Sequence, residues 1–289
     1  MNLSIPNVLK HLEEAIEIED KARAAEKREF HHNPSSASFK VGTETYGACL
    51  RQLYYRAVDQ QISNPKDFTS KLTAGFGQSI HEWIFQKLSV HKHLHVESEI
   101  PGKKLIDPLT KEISYRIDGF LTHKGEKGGV EVKTKNGYKL QSMVKHHGPD
   151  WADLAQIVTY FEIERELMWY VLLYVARDSG YRAEYHIYRD YNDGEKLKYR
   201  SIVPDDATHP KDLPVSFGMI KSRWHELEQH IANKTLPPRD YKVALFKDKP
   251  IPERTKNYVK IKSDWRCMYC PWLTHCWTQP DAKNDALIS

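Results

Sequence analysis

The sequence predicts an α/β protein with a mixed central sheet flanked by helices. Three observations support this fold class. Segments with helical spacing of apolar residues alternate with segments rich in β-branched and aromatic residues. The longest apolar run, residues 168–176, is too short to span a bilayer and is typical of a buried central strand. The chain has 289 residues, of which 40% are hydrophobic, and this is enough for one sizeable core.

The first third of the chain is predicted to be mostly helical. Residues 5–30 carry apolar side chains at helical spacing among many Glu and Lys, and residues 31–41 form a polar loop. Two further helices are predicted over residues 47–58 and 68–90, and the alternation over residues 94–100 predicts a strand. The helix over residues 68–90 is expected to bury one stripe of apolar side chains, formed by Ile80, Ile84 and Leu88.

The rest of the chain alternates between strands and helices. Asp150 is suited to cap a helix that runs to about residue 165. A Pro- and Lys-rich tail ends the chain. The other predicted elements are a β-hairpin with strands at residues 113–122 and 130–134, strands at 168–177 and 182–190, a loop at 191–212 and a helix at 215–233.

The hairpin carries the first candidate site. A glycine-rich turn centred near Gly125 would pair its strands so that Asp118 lies opposite Glu131 and Lys133. Side chains two apart leave a strand on the same face, so Glu131 and Lys133 point together while Val132 points into the core. Two close carboxylates repel unless a cation lies between them, and hard oxygen ligands favour magnesium or manganese. In this interpretation the lysine orients a water molecule or stabilises charge.

Each of these residues also has an ordinary structural interpretation. Acid–x–lysine recurs at residues 19–21, 240–242 and 281–283, and a charged strand face is commonly just a solvated one. Asp118 and Glu131 differ because they lie inside apolar runs, where an unpaired acid is costly. Three further candidates can also be read as core, surface or packing residues: His81 in the helix over 68–90, and Gln156 and Tyr160, which share one helix face.

The four cysteines form a second candidate site. Cys49 is distant from the other three, which lie in the sequence CMYCPWLTHC at positions 267, 270 and 276. Because the N-terminus lacks the apolar core of a signal peptide, we expect a soluble, cytoplasmic protein with reduced thiols. One distant cysteine, a C-x-x-C pair followed by proline and a third cysteine favour an iron–sulfur cluster, with zinc or unligated thiols as alternatives. Either metal would tie residue 49 to the C-terminus.

Charge adds a weaker indication of a nucleic-acid partner. The formal net charge is +4, and residues 242–266 carry eight Lys or Arg against three Asp or Glu, interleaved with aromatic residues. Cations with stacking rings suit single strands, although a solvated basic tail is an equal alternative. The chain has no Walker-type loop, so any helicase partner would be a separate protein.

Six short motifs occur in one order between residues 43 and 277: CLRQLYY, GQSIH, RIDGF, VEVKTK, QIVTY and CMYCPWLTHC. In this order they resemble the RecB-like branch of the PD-(D/E)XK nucleases. The similarity is greatest to its iron–sulfur members, typified by the CRISPR-associated adaptation nuclease and the AddB-type nuclease domain. The resemblance implies a restriction-endonuclease-like core whose N- and C-terminal segments are joined at an iron–sulfur cluster. Two departures are Leu50, where the family commonly has proline, and the first 40 residues, which have no counterpart.

The resemblance also implies a role for each matching position. Asp118, Glu131 and Lys133 match the catalytic residues. The ligands of magnesium or manganese are matched by His81, Asp118, Glu131 and the carbonyl of Val132. Gln156 and Tyr160 match the motif that supports the site and contacts nucleic acid. The ligands of a 4Fe–4S cluster are matched by Cys49, Cys267, Cys270 and Cys276.

Together these features predict a divalent-metal-dependent DNA nuclease, an exonuclease that acts on single-stranded ends. The alternative is a DNA-end-binding or processing subunit of a larger complex, for example in CRISPR spacer acquisition or recombination, with limited turnover of its own. The expected partners are DNA with single strands or free ends and a helicase or recombination or adaptation proteins, but no membrane. The expected domains are an N-terminal helix and loop (1–42), the nuclease domain with its cysteine staple (43–277) and a tail (278–289).

Overall fold

The computed structural model describes residues 14–20, 22, 29–92, 94–146, 148–190, 193–202, 210–241, 244–246, 249–250, 264–279, 281 and 287–288. At its centre lies a seven-stranded sheet. In order across the sheet, the strands are β3 (His95–Lys104), β4 (Ile113–His123), β5 (Glu126–Lys135), β6 (Trp169–Ala176), β7 (Arg182–Asp190), β8 (Asp193–Ser201) and β9 (Lys211–Asp212). Strands β5 and β6 pair in parallel, and the other neighbours in this order pair antiparallel. The predicted mixed sheet is therefore confirmed.

The remaining elements surround this sheet. The helices are α1 (residues 14–20), α2 (Leu50–Ala57), α3 (Phe68–Ser89), α4 (Gly137–His146), α5 (Trp151–Ile163), α6 (Phe217–Ala232), α7 (Trp265–Met268) and α8 (Leu273–Trp277). Two small sheets pair β1 (Ser38–Val41) with β2 (Glu44–Gly47), and β10 (Ala244–Phe246) with β11 (Lys249–Pro250) and β12 (Leu287–Ile288). Among the described helices, none has both the length and the apolar character needed to cross a membrane.

Helices cover both faces of the central sheet. On one face, the main core cluster joins the sheet to α5 and α6 and includes the buried ring of Tyr160. On the other face, α3 packs Ile84 against Val132, and Ile80 and Leu88 lie against the same cluster. The stripe predicted for this helix is therefore confirmed. Strand β6 lies in the middle of the seven, as expected for the longest apolar run.

The hairpin has a tighter turn than the sequence predicted. His123 pairs with Glu126, which leaves only Lys124 and Gly125 in the turn, both with positive φ angles of 51° and 83°. Two such residues form the type I′ turn, whose twist matches that of the flanking strands. The turn centre near Gly125 is confirmed. The second strand begins at residue 126 and not at 130, so Gly128 and Gly129, which were assigned to the turn, belong to β5.

Three segments differ from the predicted secondary structure. Residues 191–212 were expected to be a loop but include β8 and β9, where Leu197 and Tyr199 pack on the core between charged neighbours. The helix α4 was not predicted, although Leu140, Met143 and Val144 bury one of its faces. The end of the expected loop over residues 31–41 forms β1.

The first predicted helix can be compared only in part. Residues 14–20 are helical, in agreement with the prediction over residues 5–30. Most of its other residues lie outside the described part of the chain.

Candidate active site

Strands β4 and β5 separate at Asp118. Their register runs from the turn to the pair of Gly119 with Val130. At the next position, a carboxylate oxygen of Asp118 accepts a hydrogen bond from the backbone N–H of Val132, at 2.9 Å. A side-chain hydrogen bond thus replaces the backbone hydrogen bonds between β4 and β5 at this point. The Asp118 carboxylate therefore lies against the segment of β5 that carries Glu131. The sequence predicted this convergence of Asp118 with β5.

Helix α3 brings His81 to the same place. His81 Nδ1 lies 3.3 Å from Asp118 Oδ2. The approach depends on Gly119, because a Cβ atom there would lie 2.2 Å from the ring of Phe85. Phe85 and His81 are one turn apart on the same helix face. The packing that buries Phe85 therefore also positions the histidine.

On the other side of Asp118, a hydrogen-bonded network holds the acid and lysine of β5. Lys133 Nζ donates to Glu131 Oε1 at 2.6 Å and to Gln156 Oε1 at 2.7 Å. The amide of Gln156 donates to Glu131 Oε1 and to the hydroxyl of Tyr160, both at 2.8 Å. Tyr160 in turn donates to the carbonyl of Arg116 on β4, at 3.0 Å. The structure thus brings together the candidates on β5 and α5 that the sequence singled out.

Burial sets the charges in this network. Desolvation, opposed by Lys133 and reinforced by the Asp118 carboxylate, raises the pKa of Glu131 to about 7. Desolvation would lower the pKa of Lys133, but the carboxylates of Glu131 and Asp153 outweigh it, so this pKa lies above its usual value. Lys133 is therefore a cation at neutral pH. Glu131 Oε2 is buried and has no hydrogen-bond partner among the described residues, which is costly for a carboxylate oxygen.

A cleft of about 510 Å³ opens between α3 and strands β3 and β4. Its lining includes His81 and Asp118 from the predicted site. It also includes Arg116, which the sequence analysis missed. The signal was present, because Arg116 precedes Asp118 by two residues on β4 and two-residue spacing places both on one face. The cleft thus adds a cation to the acidic site.

The four cysteines line a second cavity, of about 330 Å³. Cys49 precedes α2, while the other three come from the α7–α8 segment. Burial raises the pKa of Cys49 and Cys267, and it raises that of Cys270 to about 12. The four cysteines thus line one cavity, although Cys49 lies more than 200 residues from the other three in the chain.

Backbone and side-chain hydrogen bonds dock this C-terminal segment onto the loop after α2. The carbonyl of Pro271 accepts from the amides of Ser63 and Asn64, at 3.0 and 2.8 Å. The indole of Trp272 donates to the carbonyl of Gln60 at 2.8 Å. Arg239 reaches the same segment, since its Nε lies 3.2 Å from Cys276 Sγ. The segment around the cysteines is thus held by contacts that involve no metal.

Comparison with known proteins gives only distant structural similarities. The sequence matches no family model and no curated protein. The crystal structure of SSO0001 is similar over 90% of this chain and 91% of that one, with 12% identity and a TM-score of 0.46. The crystal structure of LHK-Exo in complex with dAMP is similar over 64% of this chain and 80% of that one, with 15% identity and a TM-score of 0.37. Similarity at this level says nothing of activity, which depends on the side chains of the site.

Both candidate sites have donors of the right kind for a metal. Imidazole and carboxylate oxygens suit a hard divalent cation, and four thiols suit an iron–sulfur cluster. Among the described residues, no three His, Cys, Asp or Glu side chains are gathered in a ready-made metal site. The ligand sets therefore stay predictions. The basic stretch over residues 242–266 lies largely outside the described part of the chain, so its predicted role stays a prediction too.

Proposed function

We propose that the chain is a divalent-metal-dependent DNA nuclease, an exonuclease that hydrolyses phosphodiester bonds at single-stranded ends. The observation that carries this proposal is the buried Glu131 carboxylate, paired with Lys133 and close to a second acid, Asp118. Burying Glu131 next to a partly buried acid and a partly buried ammonium group is costly. A protein that only binds DNA has no need of this arrangement, whereas phosphodiester hydrolysis uses both kinds of charge.

The acids fit a magnesium or manganese ion. His81, Asp118, Glu131 and the carbonyl of Val132 would hold it, as the ordered motifs imply. The unpartnered Oε2 of Glu131 supports this assignment, because a cation would satisfy a buried oxygen that the described residues leave without a hydrogen bond. When bound, such an ion supplies Lewis-acid chemistry and makes a bound water more acidic.

The protein's own groups act on the water and the phosphate. The oxygen of water forms the new bond to phosphorus, and the bond from phosphorus to the leaving sugar oxygen breaks. Lys133 donates a hydrogen bond to the attacking water or to a phosphate oxygen, and its charge offsets the negative charge that develops in the transition state. Gln156 fixes the direction of Lys133 by accepting a hydrogen bond from its ammonium group. Arg116 is placed in the cleft to bind the phosphate backbone.

The four cysteines fit a 4Fe–4S cluster in number and kind. Cys49, Cys267, Cys270 and Cys276 would hold it as thiolates. We assign the cluster a structural role, since it would join α2 to the segment that follows the central sheet.

The experiment that tests this function is cleavage of DNA labelled at the 5′ or 3′ end, single- or double-stranded, with magnesium or manganese. We expect metal-dependent release of product from single-stranded ends. Asp118→Ala and Lys133→Ala are each expected to slow cleavage by about 10²–10³-fold, because each removes a charge from the reacting centre.

The matched control is Lys127→Ala, which removes a lysine from the same strand. Lys127 lies 3.6 Å from Glu166 and over the ring of Phe120, away from the site network. It should cleave like the unaltered protein. Unchanged cleavage by both site variants would refute the site, while tight, metal-independent binding of ends without cleavage would favour the DNA-end-binding alternative.

A further inference from the structure

Exposed aromatic side chains gather with cations between α4 and α7. We call this set the aromatic surface, and it consists of Tyr138, Lys139, Trp265, Arg266 and Tyr269. Tyr138 is 81% exposed, Tyr269 72% and Trp265 50%. Single exposed apolar residues are ordinary on a protein surface, but clustered large ones are typical of a binding site.

The geometry of the aromatic surface joins rings to charges. The rings of Trp265 and Tyr269 meet edge to face, with centroids 6.5 Å apart. Arg266 places its guanidinium carbon 5.0 Å from the Trp265 ring centre, and Lys139 brings its Nζ to 6.0 Å from the same centre. Two cations thus lie beside an indole that remains half open to solvent. Tyr138 adjoins Lys139 in the first turn of α4.

The aromatic surface borders the cavity of the four cysteines, since Trp265, Arg266 and Tyr269 also line it, and a short path along β5 leads from there to the candidate active site. Lys135 follows Lys133 by two residues on β5, so both leave the strand on one face. Lys135 Nζ lies 3.4 Å from Asp150, and Asp150 lines the same cavity as Trp265 and Arg266. Tyr138 follows Lys133 by five positions in the chain, which limits the distance between their Cα atoms to about 18 Å.

We propose that the aromatic surface binds unpaired bases of single-stranded DNA and holds the strand whose end lies at the candidate active site. The proposal rests on the proposed function. Base faces stack on Trp265 and Tyr269 without regard to sequence, and the cations of Lys139 and Arg266 neutralise phosphates. Duplex DNA cannot use these rings, because its bases are already stacked and paired. The surface therefore favours single strands over duplexes.

The test is binding of a fluorescent oligothymidylate, measured by anisotropy with EDTA present so that cleavage does not intervene. Trp265→Ala and Tyr269→Ala are each expected to weaken binding by about 5- to 100-fold, which is what loss of one stacked base costs. Tyr138→Ala is the second variant, and its side chain is too exposed for its loss to unfold the protein. It should weaken binding to a smaller extent, in the same direction.

The matched control is Trp83→Ala. Trp83 is 60% exposed and lies on α3, two residues from His81 and so on the opposite side of that helix. It should bind the oligonucleotide like the unaltered protein, and duplex of the same length should bind more weakly than the single strand. Wild-type binding by both Trp265→Ala and Tyr269→Ala would overturn the proposal, as would an equal loss in Trp83→Ala.

Failure of this proposal is distinguishable from failure of the proposed function. If the Trp265 and Tyr269 variants lose binding but no metal supports cleavage, the aromatic surface binds single strands and the proposed nuclease activity is refuted. If the chain cleaves DNA and both variants bind like the unaltered protein, the nuclease activity is supported and binding of single strands by the aromatic surface is refuted.

Discussion

At the scale of single residues, Glu131 joins three elements through one carboxylate oxygen. Its Oε1 accepts from Lys133 on the same strand and from Gln156 on α5. Gln156 also donates to Tyr160, whose hydroxyl donates to the carbonyl of Arg116 on β4. A hydrogen bond to a charged group contributes about 1.5–3 kcal/mol. The direction of the lysine therefore depends on Gln156 as well as on the acid beside it.

This dependence predicts the effect of Gln156→Leu, which keeps the side-chain size and removes both polar atoms. Lys133 would lose one of its two acceptors, and Glu131 would lose a donor. We expect kcat for single-stranded DNA to fall about 10- to 100-fold, in line with the loss of one charged hydrogen bond. KM should change little, because Gln156 is only 5% exposed and lies beneath the surface that DNA can reach.

The control for this prediction is Thr159→Val on the same helix. Its hydroxyl is equally buried but donates to the carbonyl of Ala155, one turn back, at 2.9 Å. The variant tests whether any loss of a buried polar group in α5 slows cleavage, and its kcat should match the unaltered protein. An equal fall in both variants would mean that Gln156 acts only through stability.

At the scale of elements, what could be predicted depends on whether the defining contact is local. Helix α5 was predicted because its cap is local: Asp150 accepts from the N–H of Ala152, at 3.0 Å. Helix α4 is an exception, because the prediction missed it although Asn136 caps it locally by accepting from the N–H of Tyr138 at 3.1 Å; a second contact joins the N–H of Gly137 to Asp178, 41 residues away. A non-local contact did hide the separation of β4 and β5, which depends on a side-chain hydrogen bond from Asp118 to another strand. Register and turn chemistry were enough to place the candidate residues, but not to show their hydrogen bonds.

One buried pair links three such elements and makes stability depend on pH. Glu228 on α6 accepts from the amides of Thr110 and Lys111 in the β3–β4 loop, and His32 Nε2 lies 2.9 Å from it. Desolvation lowers the pKa of His32 and would raise that of Glu228, but the amides and the imidazole outweigh it and hold the Glu228 pKa below its usual value.

The lowered pKa values of His32 and Glu228 both make the folded protein less stable in acid. As pH falls below 6.5, an unfolded histidine takes up a proton that buried His32 does not. As pH falls below 4.5, an unfolded glutamate does the same while folded Glu228 stays ionised, until pH passes its folded pKa. Glu228→Gln should lower the melting temperature at pH 7, since it weakens charged hydrogen bonds worth about 1.5–3 kcal/mol each. The difference from the unaltered protein should shrink only as pH falls below 4.5 and through the folded pKa of Glu228.

Thermal unfolding from about pH 3 to 7.5 measures this difference, because the predicted change lies below pH 4.5. The control is Glu112→Gln, an acid of the same loop that is about half exposed and pairs with His31 and Lys103 only at 3.8 and 3.9 Å. Exposed pairs of this kind contribute little, so its melting curve should match the unaltered protein at each pH. If the melting temperature of Glu228→Gln lies below that of the unaltered protein by the same amount at every pH, Glu228 does not act as an ionised group in the folded protein.

At the scale of the whole molecule, two sets of long-range contacts hold the chain together. Helices α5 and α6 pack on the central sheet, and the segment that follows the sheet contacts the loop after α2. Arg51 on α2 supports this return, since it donates to the carbonyl of Pro237 at 2.7 Å and also pairs with Asp281. The four thiols lie in the cavity between the two ends. A cluster there would fix a contact that is otherwise made by a few hydrogen bonds.

This arrangement predicts that the cluster controls local more than global stability. Protein purified without oxygen should contain iron and sulfide and absorb near roughly 400 nm, as thiolate-bound iron does. Cys49→Ser should lose the iron, and hydrogen exchange should rise at Ser63, Asn64 and His275, whose amides join the two ends. Because the chain has only four cysteines, the internal control is the central sheet, where amides such as that of Val132 should keep their protection. A colourless, zinc-loaded protein would exclude an iron–sulfur cluster. Unchanged hydrogen exchange at the three amides in the iron-free variant would exclude the structural role assigned to the cluster.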